Sequence, residues 1–149
     1  MLTVAFPEEE WEGQSVAISR GDTVSEMVIK VYGDYNLLAI DLIKEFNPHI
    51  VNLDRVAVGA RLWLPPHTRE TLVRKQSDSS YHLILGSFQT VLGAREFSQL
   101  VNSKGYTTVT VPRRMSSNLV LHRVEIVGLT SPEAVNKAWE LVRSADIAG

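Results

Sequence analysis

Between Ser15 and Pro66 the sequence is punctuated so often that only short elements fit, and the punctuation fixes their order. A β-forming run, Ser15-Val16-Ala17-Ile18, leads into the turn pair Gly21-Asp22. Thr23 then stands three residues before Glu26, the spacing of a capping box that opens a helix. Val24, Met27, Val28 and Val31 follow at i, i+3, i+4 and i+7, which puts one apolar stripe on one helix face, and Gly33 supplies a left-handed stop. Asn36 caps a second helix, whose apolar residues Ala39, Leu42, Ile43 and Phe46 keep helical spacing until Asn47-Pro48 ends it. After a turn-rich stretch containing Gly59, Arg61-Leu62-Trp63-Leu64 reads as a strand stopped by Pro65-Pro66. The spacing predicts strand, helix, helix, strand.

The pattern changes twice after Pro66. Residues 67–80 are polar, show no sustained period and read as a linker, as does the acidic start, residues 1–14 with Glu8-Glu9-Glu10-Trp11-Glu12. From Tyr81 the run Tyr81-His82-Leu83-Ile84-Leu85, ending in Gly86-Ser87-Phe88, predicts a strand. Ala94, Phe97, Leu100 and Val101 predict a helix that Lys104-Gly105 ends. Two further strands are read over 106–111 and 120–127, with Pro112 to Asn118 a basic hairpin loop with a mobile tip between them. Thr130-Ser131-Pro132-Glu133 opens a last helix with apolar positions Ala134, Ala138, Leu141, Val142 and Ala145. The expected fold class is α+β: a βααβ unit over residues 15–66, a linker, and a βαββα unit over residues 81–149 in the ferredoxin-like order.

Composition narrows the function classes. Of 149 residues, 44% are hydrophobic and 21% charged, values of a folded protein rather than a disordered tail. A net charge of −2 and a pI near 6 predict no strong attraction to nucleic acid or to anionic membranes. Charge is uneven, however. Residues 1–66 carry five Lys/Arg against ten Asp/Glu, and residues 81–149 carry seven against five, which implies two surfaces of different character. There is no cysteine, hence no disulfide, thiolate ligand or Cys nucleophile. No apolar run approaches the roughly 20 residues that span a bilayer. The start lacks the basic head and apolar middle of a signal peptide. The chain is therefore expected to be the C-terminal part of a longer anchored or exported protein.

Two resemblances follow from these residues. Gly21-Asp22-Thr23, Tyr32-Gly33, Phe46-Asn47-Pro48, Val58-Gly59 and Leu62-Trp63-Leu64-Pro65, in that order, resemble the LysM family. Leu85-Gly86-Ser87-Phe88, Ala94 to Leu100 with Gly105-Tyr106, and His122-Arg123-Val124-Glu125-Ile126 before an alanine-rich helix resemble the SPOR family. Three departures from the latter stand out: Ile84 where that family often has Gln, Val127-Gly128-Leu129 in place of Gly-Pro-Phe, and no clear fourth strand before Gly149.

Both resemblances imply binding of bacterial peptidoglycan, a glycan containing N-acetylglucosamine, in the periplasm or cell envelope. The LysM resemblance implies a shallow groove between two loops, Gly21, Asp22, Thr23 and Val24 on one side, and Asn47, Pro48, His49, Ile50 and Asn52 on the other. Glycine lets a sugar approach the backbone, while Asp22 and Asn52 complete hydrogen bonds to it. Against this stand plainer roles: capping for Thr23, helix termination for Asn47-Pro48, core packing for Ile50 and burial for Trp63. The SPOR resemblance implies a second site on the open sheet face, at Ile84, Ser87, Arg123 and Glu125, although a strand arginine is more often solvated or paired with a neighbouring acid. Two weak sites joined by a flexible linker would gain apparent affinity on one polymer.

No catalytic role is expected, because neither a hydrolase carboxylate pair, a Gly-x-Ser-x-Gly elbow nor a phosphate-binding loop is present. His49, His67, His82 and His122 fall in different elements without ligand spacing, so neither a metal nor another cofactor is expected. The competing expectation is that the C-terminal unit binds a protein of an envelope secretion or division assembly, motivated by Ile84.

Overall fold

The computed structural model describes residues 14–32, 36–66 and 68–144. Its elements are β1 (Gln14–Ala17), α1 (Val24–Tyr32), α2 (Leu37–Phe46), β2 (Arg61–Leu64), α3 (Arg69–Leu72), β3 (Val73–Lys75), β4 (Tyr81–Phe88), α4 (Val91–Asn102), β5 (Thr107–Arg114), β6 (Val120–Leu129) and α5 (Pro132–Ser144). The architecture is α+β, with two antiparallel sheets among the described residues. Trp11 and the acidic start, Gly33, His67 and Ala145 lie outside the described residues. None of the described helices is long and apolar enough to cross a membrane.

The first unit closes on local chemistry. The Thr23 hydroxyl accepts from Glu26 N (3.1 Å) and donates to the Glu26 carboxylate (2.8 Å), which satisfies a free amide at the start of α1. Asn36 does the same for α2 through Ala39 N (3.2 Å). β1 and β2 pair with Val16 opposite Leu62. The pairing continues past β1, because Ile18 N donates to Ala60 O and Gly59 N donates to Ile18 O, both at 2.8 Å. Gly59 makes that turn at φ 89°, a left-handed conformation that glycine adopts without strain.

α2 is buried more completely than a single stripe allows. Ala39, Ile40, Asp41, Leu42 and Ile43 are consecutive and all buried, as in a helix covered nearly all round. The reason is that α2 lies between its own unit and the C-terminal sheet. Phe46, expected in the stripe, is 40% exposed, and the Arg74 guanidinium sits 5.7 Å from its ring centre.

The second sheet has the order β3-β4-β6-β5, all neighbours antiparallel. α4 therefore connects β4 to β5, with β6 between them. The expected linker is corrected here: Thr68, Arg69, Thr71 and Leu72 are buried, and β3 pairs with β4, Arg74 opposite His82. A four-residue helix and a three-residue strand are too short to leave a period in sequence. The expected mobile hairpin is corrected too. β5 runs on to Arg114, Met115 N donates to Leu119 O (2.8 Å), and the Met115 side chain is buried. In α4, Ala94, Phe97 and Val101 face inward, and Phe97 meets Phe88 with ring centres 5.0 Å apart, whereas Leu100 is exposed.

The two cores interlock. One gathers Val28, Ile40, Ile43, Leu62 and Leu64 of the first unit with Met115 and Leu121 of the second. The other gathers Leu83, Ile84, Phe97, Val124 and Ile126 with Leu42 of α2. Each large apolar side chain removed from water here contributes about 1.5–3 kcal/mol, so neither unit keeps its full core without the other.

Candidate functional site

Asp22 and the start of α1 form one wall of a recess of about 240 Å³. Gly21 has φ 90°, and Asp22 holds the turn by accepting from Ser19 N (2.8 Å) through Oδ2. Its Oδ1 has no hydrogen-bond partner among the described residues. The first-turn amides of Val24 and Ser25 likewise have no acceptor there, as expected of a helix start whose cap serves Glu26. Thr23 has its hydroxyl committed to that cap, so its role is structural.

The opposite wall is not the one read from sequence. Asp22, Thr23 and Val24 line the recess, whereas Gly21, Asn47, Pro48, His49, Ile50 and Asn52 do not. Asn47 is buried and clips α2 to β2: its Nδ2 donates to Ile43 O (2.6 Å) and Trp63 O (2.7 Å), and its Oδ1 accepts from Trp63 N (2.8 Å). Ile50 is a core residue, and Asn52 spends Oδ1 on Asp54 N (2.9 Å). Pro48 and His49 are exposed in the turn after α2. In their place Leu53, Asp54, Arg55 and Val56 form the second wall, with Ile18, Val24 and Ile40 as an apolar floor. The residues expected from the first half of this loop are instead engaged in ending the helix, in the core or in the turn. Trp63 is half-buried and borders a separate cleft with Phe46, Pro66 and Arg74.

The expected sheet-face site is closed. Ile84 is buried, and Ser87 Oγ donates to Asp41 Oδ2 (2.7 Å). Arg123, 4% exposed, donates through Nε to Asp41 Oδ2 (2.7 Å) and through Nη2 to Asp41 Oδ1 (2.9 Å). Arg113 Nε reaches the same Oδ1 at 3.0 Å. Glu45, one turn along α2, takes Arg74 at 2.8 and 3.0 Å and Arg123 at 3.3 Å. Glu125 is paired with His82 Nδ1 at 3.0 Å. All four residues named for a glycan are thus packed or paired. The alternation of β6 told which face Arg123 occupies but not that α2 covers that face.

In this ionic cluster two acids of α2, Asp41 and Glu45, meet arginines of β3, β5 and β6. Burial alone would raise the Glu45 pKa, yet the hydrogen bonds and charges of Arg74 and Arg123 outweigh it and bring the carboxyl from 4.5 down to about 2. Arg123 shifts the opposite way: burial would lower its pKa, but Asp41 and Glu45 raise it above the ordinary value.

Compared with protein families, with curated proteins and with solved structures, the chain finds no match in any of the three.

Proposed function

We propose that this chain is a non-catalytic module that binds the N-acetylglucosamine-containing glycan of bacterial peptidoglycan, holding an attached or associated protein at the cell wall. On this reading the first unit is LysM-like. The second is SPOR-like in its ferredoxin-like strand order, with β3 at the edge that a strand after α5 would otherwise fill. The observation that carries the proposal is the recess beside Gly21-Asp22, whose lining joins Asp22 and the first turn of α1 to the apolar Ile18, Val24 and Ile40. An N-acetylated sugar presents the complement, amide and hydroxyl groups around a methyl and an apolar ring face. The protein then works in the periplasm or cell envelope, as part of a longer anchored or exported chain.

The test is retention on purified insoluble peptidoglycan. Asp22→Asn combined with Ser25→Pro, which takes away the carboxylate charge and one unused amide at a first-turn position where proline is tolerated, removes retention while the folded fraction, followed by circular dichroism, is kept. Undiminished retention by a folded double variant would overturn the groove.

A second reading concerns the C-terminal unit alone. Because α2 occupies the face on which glycan was expected, this unit serves protein contacts within an envelope assembly. Leu92 and Leu100, 60% and 46% exposed on α4, are its candidate contacts. Leu92→Asp with Leu100→Asp would then abolish capture of an envelope protein and leave peptidoglycan retention intact; unchanged capture would remove this reading.

A further inference from the structure

The recess at Gly21-Asp22 is not built by the first unit alone. Its remaining wall is the β5–β6 hairpin of the second unit, through Met115, Ser116 and Leu119. The hairpin is fixed there by a backbone bond, Leu53 N to Met115 O at 3.0 Å, and Met115 is 1% exposed. The same hairpin belongs to the arginine strand that grips α2, since Arg113 on β5 binds Asp41. Two ties therefore hold the β5 side of the hairpin in place.

We propose, resting on the glycan reading above, that the second unit contributes to sugar recognition through this hairpin: it closes one side of the groove so that the recess admits a single neutral N-acetylated sugar. Three observations support this. At about 240 Å³ the space is below the ~300 Å³ at which sites for drug-sized ligands begin, so it fits one ring with its acetamide rather than an oligosaccharide lying flat. The hairpin brings Met115 and the half-buried Leu119 into the same lining as the first-turn residues Val24 and Ser25, so apolar side chains and helix-start amides belong to one recess, a combination that suits an acetamide group. The rim carries Asp22 and Asp54 against Arg55, a net charge of −1, which disfavours a sugar bearing a carboxylate.

The intact 149-residue chain, labelled with ¹³C at methionine methyls and ¹⁵N at amides, is titrated with the trimer of N-acetylglucosamine and, separately, with N-acetylmuramic acid. The proposal predicts that the Met115 methyl and the Ser116 amide shift together with the amides of Asp22 to Ser25, on one binding curve. Binding of the carboxylate-bearing sugar is at least tenfold weaker. Leu119→Trp, which fills the recess, weakens binding of the trimer at least tenfold with an unchanged unfolding midpoint. Shifts confined to Asp22–Ser25, or equal affinity for the two sugars, would overturn the inference and leave the groove reading standing. Shifts centred on Met27, which lines a neighbouring hollow, would overturn the inference by moving the ligand to the other side of α1. No shift anywhere would remove the glycan reading together with the inference.

Discussion

Replacing Asp41 by alanine should expose how strongly the two halves depend on each other. The Asp41 carboxylate is fully buried and receives four hydrogen bonds: one from Ser87 (2.7 Å), one from Arg113 (3.0 Å) and two from Arg123 (2.7 and 2.9 Å). Without it, Arg123 is left 4% exposed with Glu45 at 3.3 Å as its nearest hydrogen-bonded acid, a poor substitute for the bidentate pair. Breaking one partner of a buried pair costs about 3–5 kcal/mol, because the desolvated charge that remains has nothing to offset it. In a chain of this size each kcal/mol moves the melting point by about 2–4 °C, so a loss of about 6–20 °C is expected. Urea unfolding gives the free energy directly. Replacing Asp41 by Leu and Arg123 by Met together removes both charges and should cost less than Asp41→Ala alone. A single-variant loss below about 1 kcal/mol, the level of a surface ion pair, would refute the claim that this cluster is desolvated and joins the halves.

Three further outcomes follow from the same contacts. Glu45 has its folded-state pKa depressed from 4.5 to about 2, so the stability it brings is present above pH 4.5 and is lost as the pH falls toward 2. That shift corresponds to at most about 3 kcal/mol, seen as a shrinking gap between wild type and Glu45→Gln in urea unfolding from pH 6 to pH 2; a pH-independent gap would contradict it. Asn47→Ala orphans Trp63 N and two carbonyls and should cost about 3 kcal/mol by the same assay, whereas a near-neutral effect would mean that the clip between α2 and β2 is not made in solution. Thr23→Ala should lower stability by about 1 kcal/mol through the lost cap while peptidoglycan retention is unchanged; lost retention would assign the hydroxyl to the ligand instead.

Much of the α+β order was legible because it is written in local chemistry. Thr23-Glu26, Asn36 and Ser131 cap where their spacing said they would, and the strand runs at Ser15, Arg61, Tyr81 and Val120 lie in strands. What escaped is what depends on contacts distant in sequence. Asp41 stands within the apolar residues of α2 with no local sign of a partner, yet it is the acceptor around which α2 meets the sheet. One sign was available: Leu37, Leu38, Ile40, Leu42 and Ile43 give the helix more apolar surface than one neighbour can cover. Arg69 to Lys75 escaped because a strand of three residues has no measurable alternation. At the candidate site the loop after α2 was recognisable, but the division of labour within it was not, since Asn47 and Asn52 advertise hydrogen bonding without saying that backbone groups already take it.

¹⁵N relaxation of the intact chain tests most directly whether the halves form one body, with α2 seated on the sheet. The account predicts one rotational correlation time for the amides of β1 to β2 and of β3 to α5. Two distinct values, with the N-terminal unit tumbling faster, would show the sheet face of Ser87 and Arg123 to be open and would contradict it.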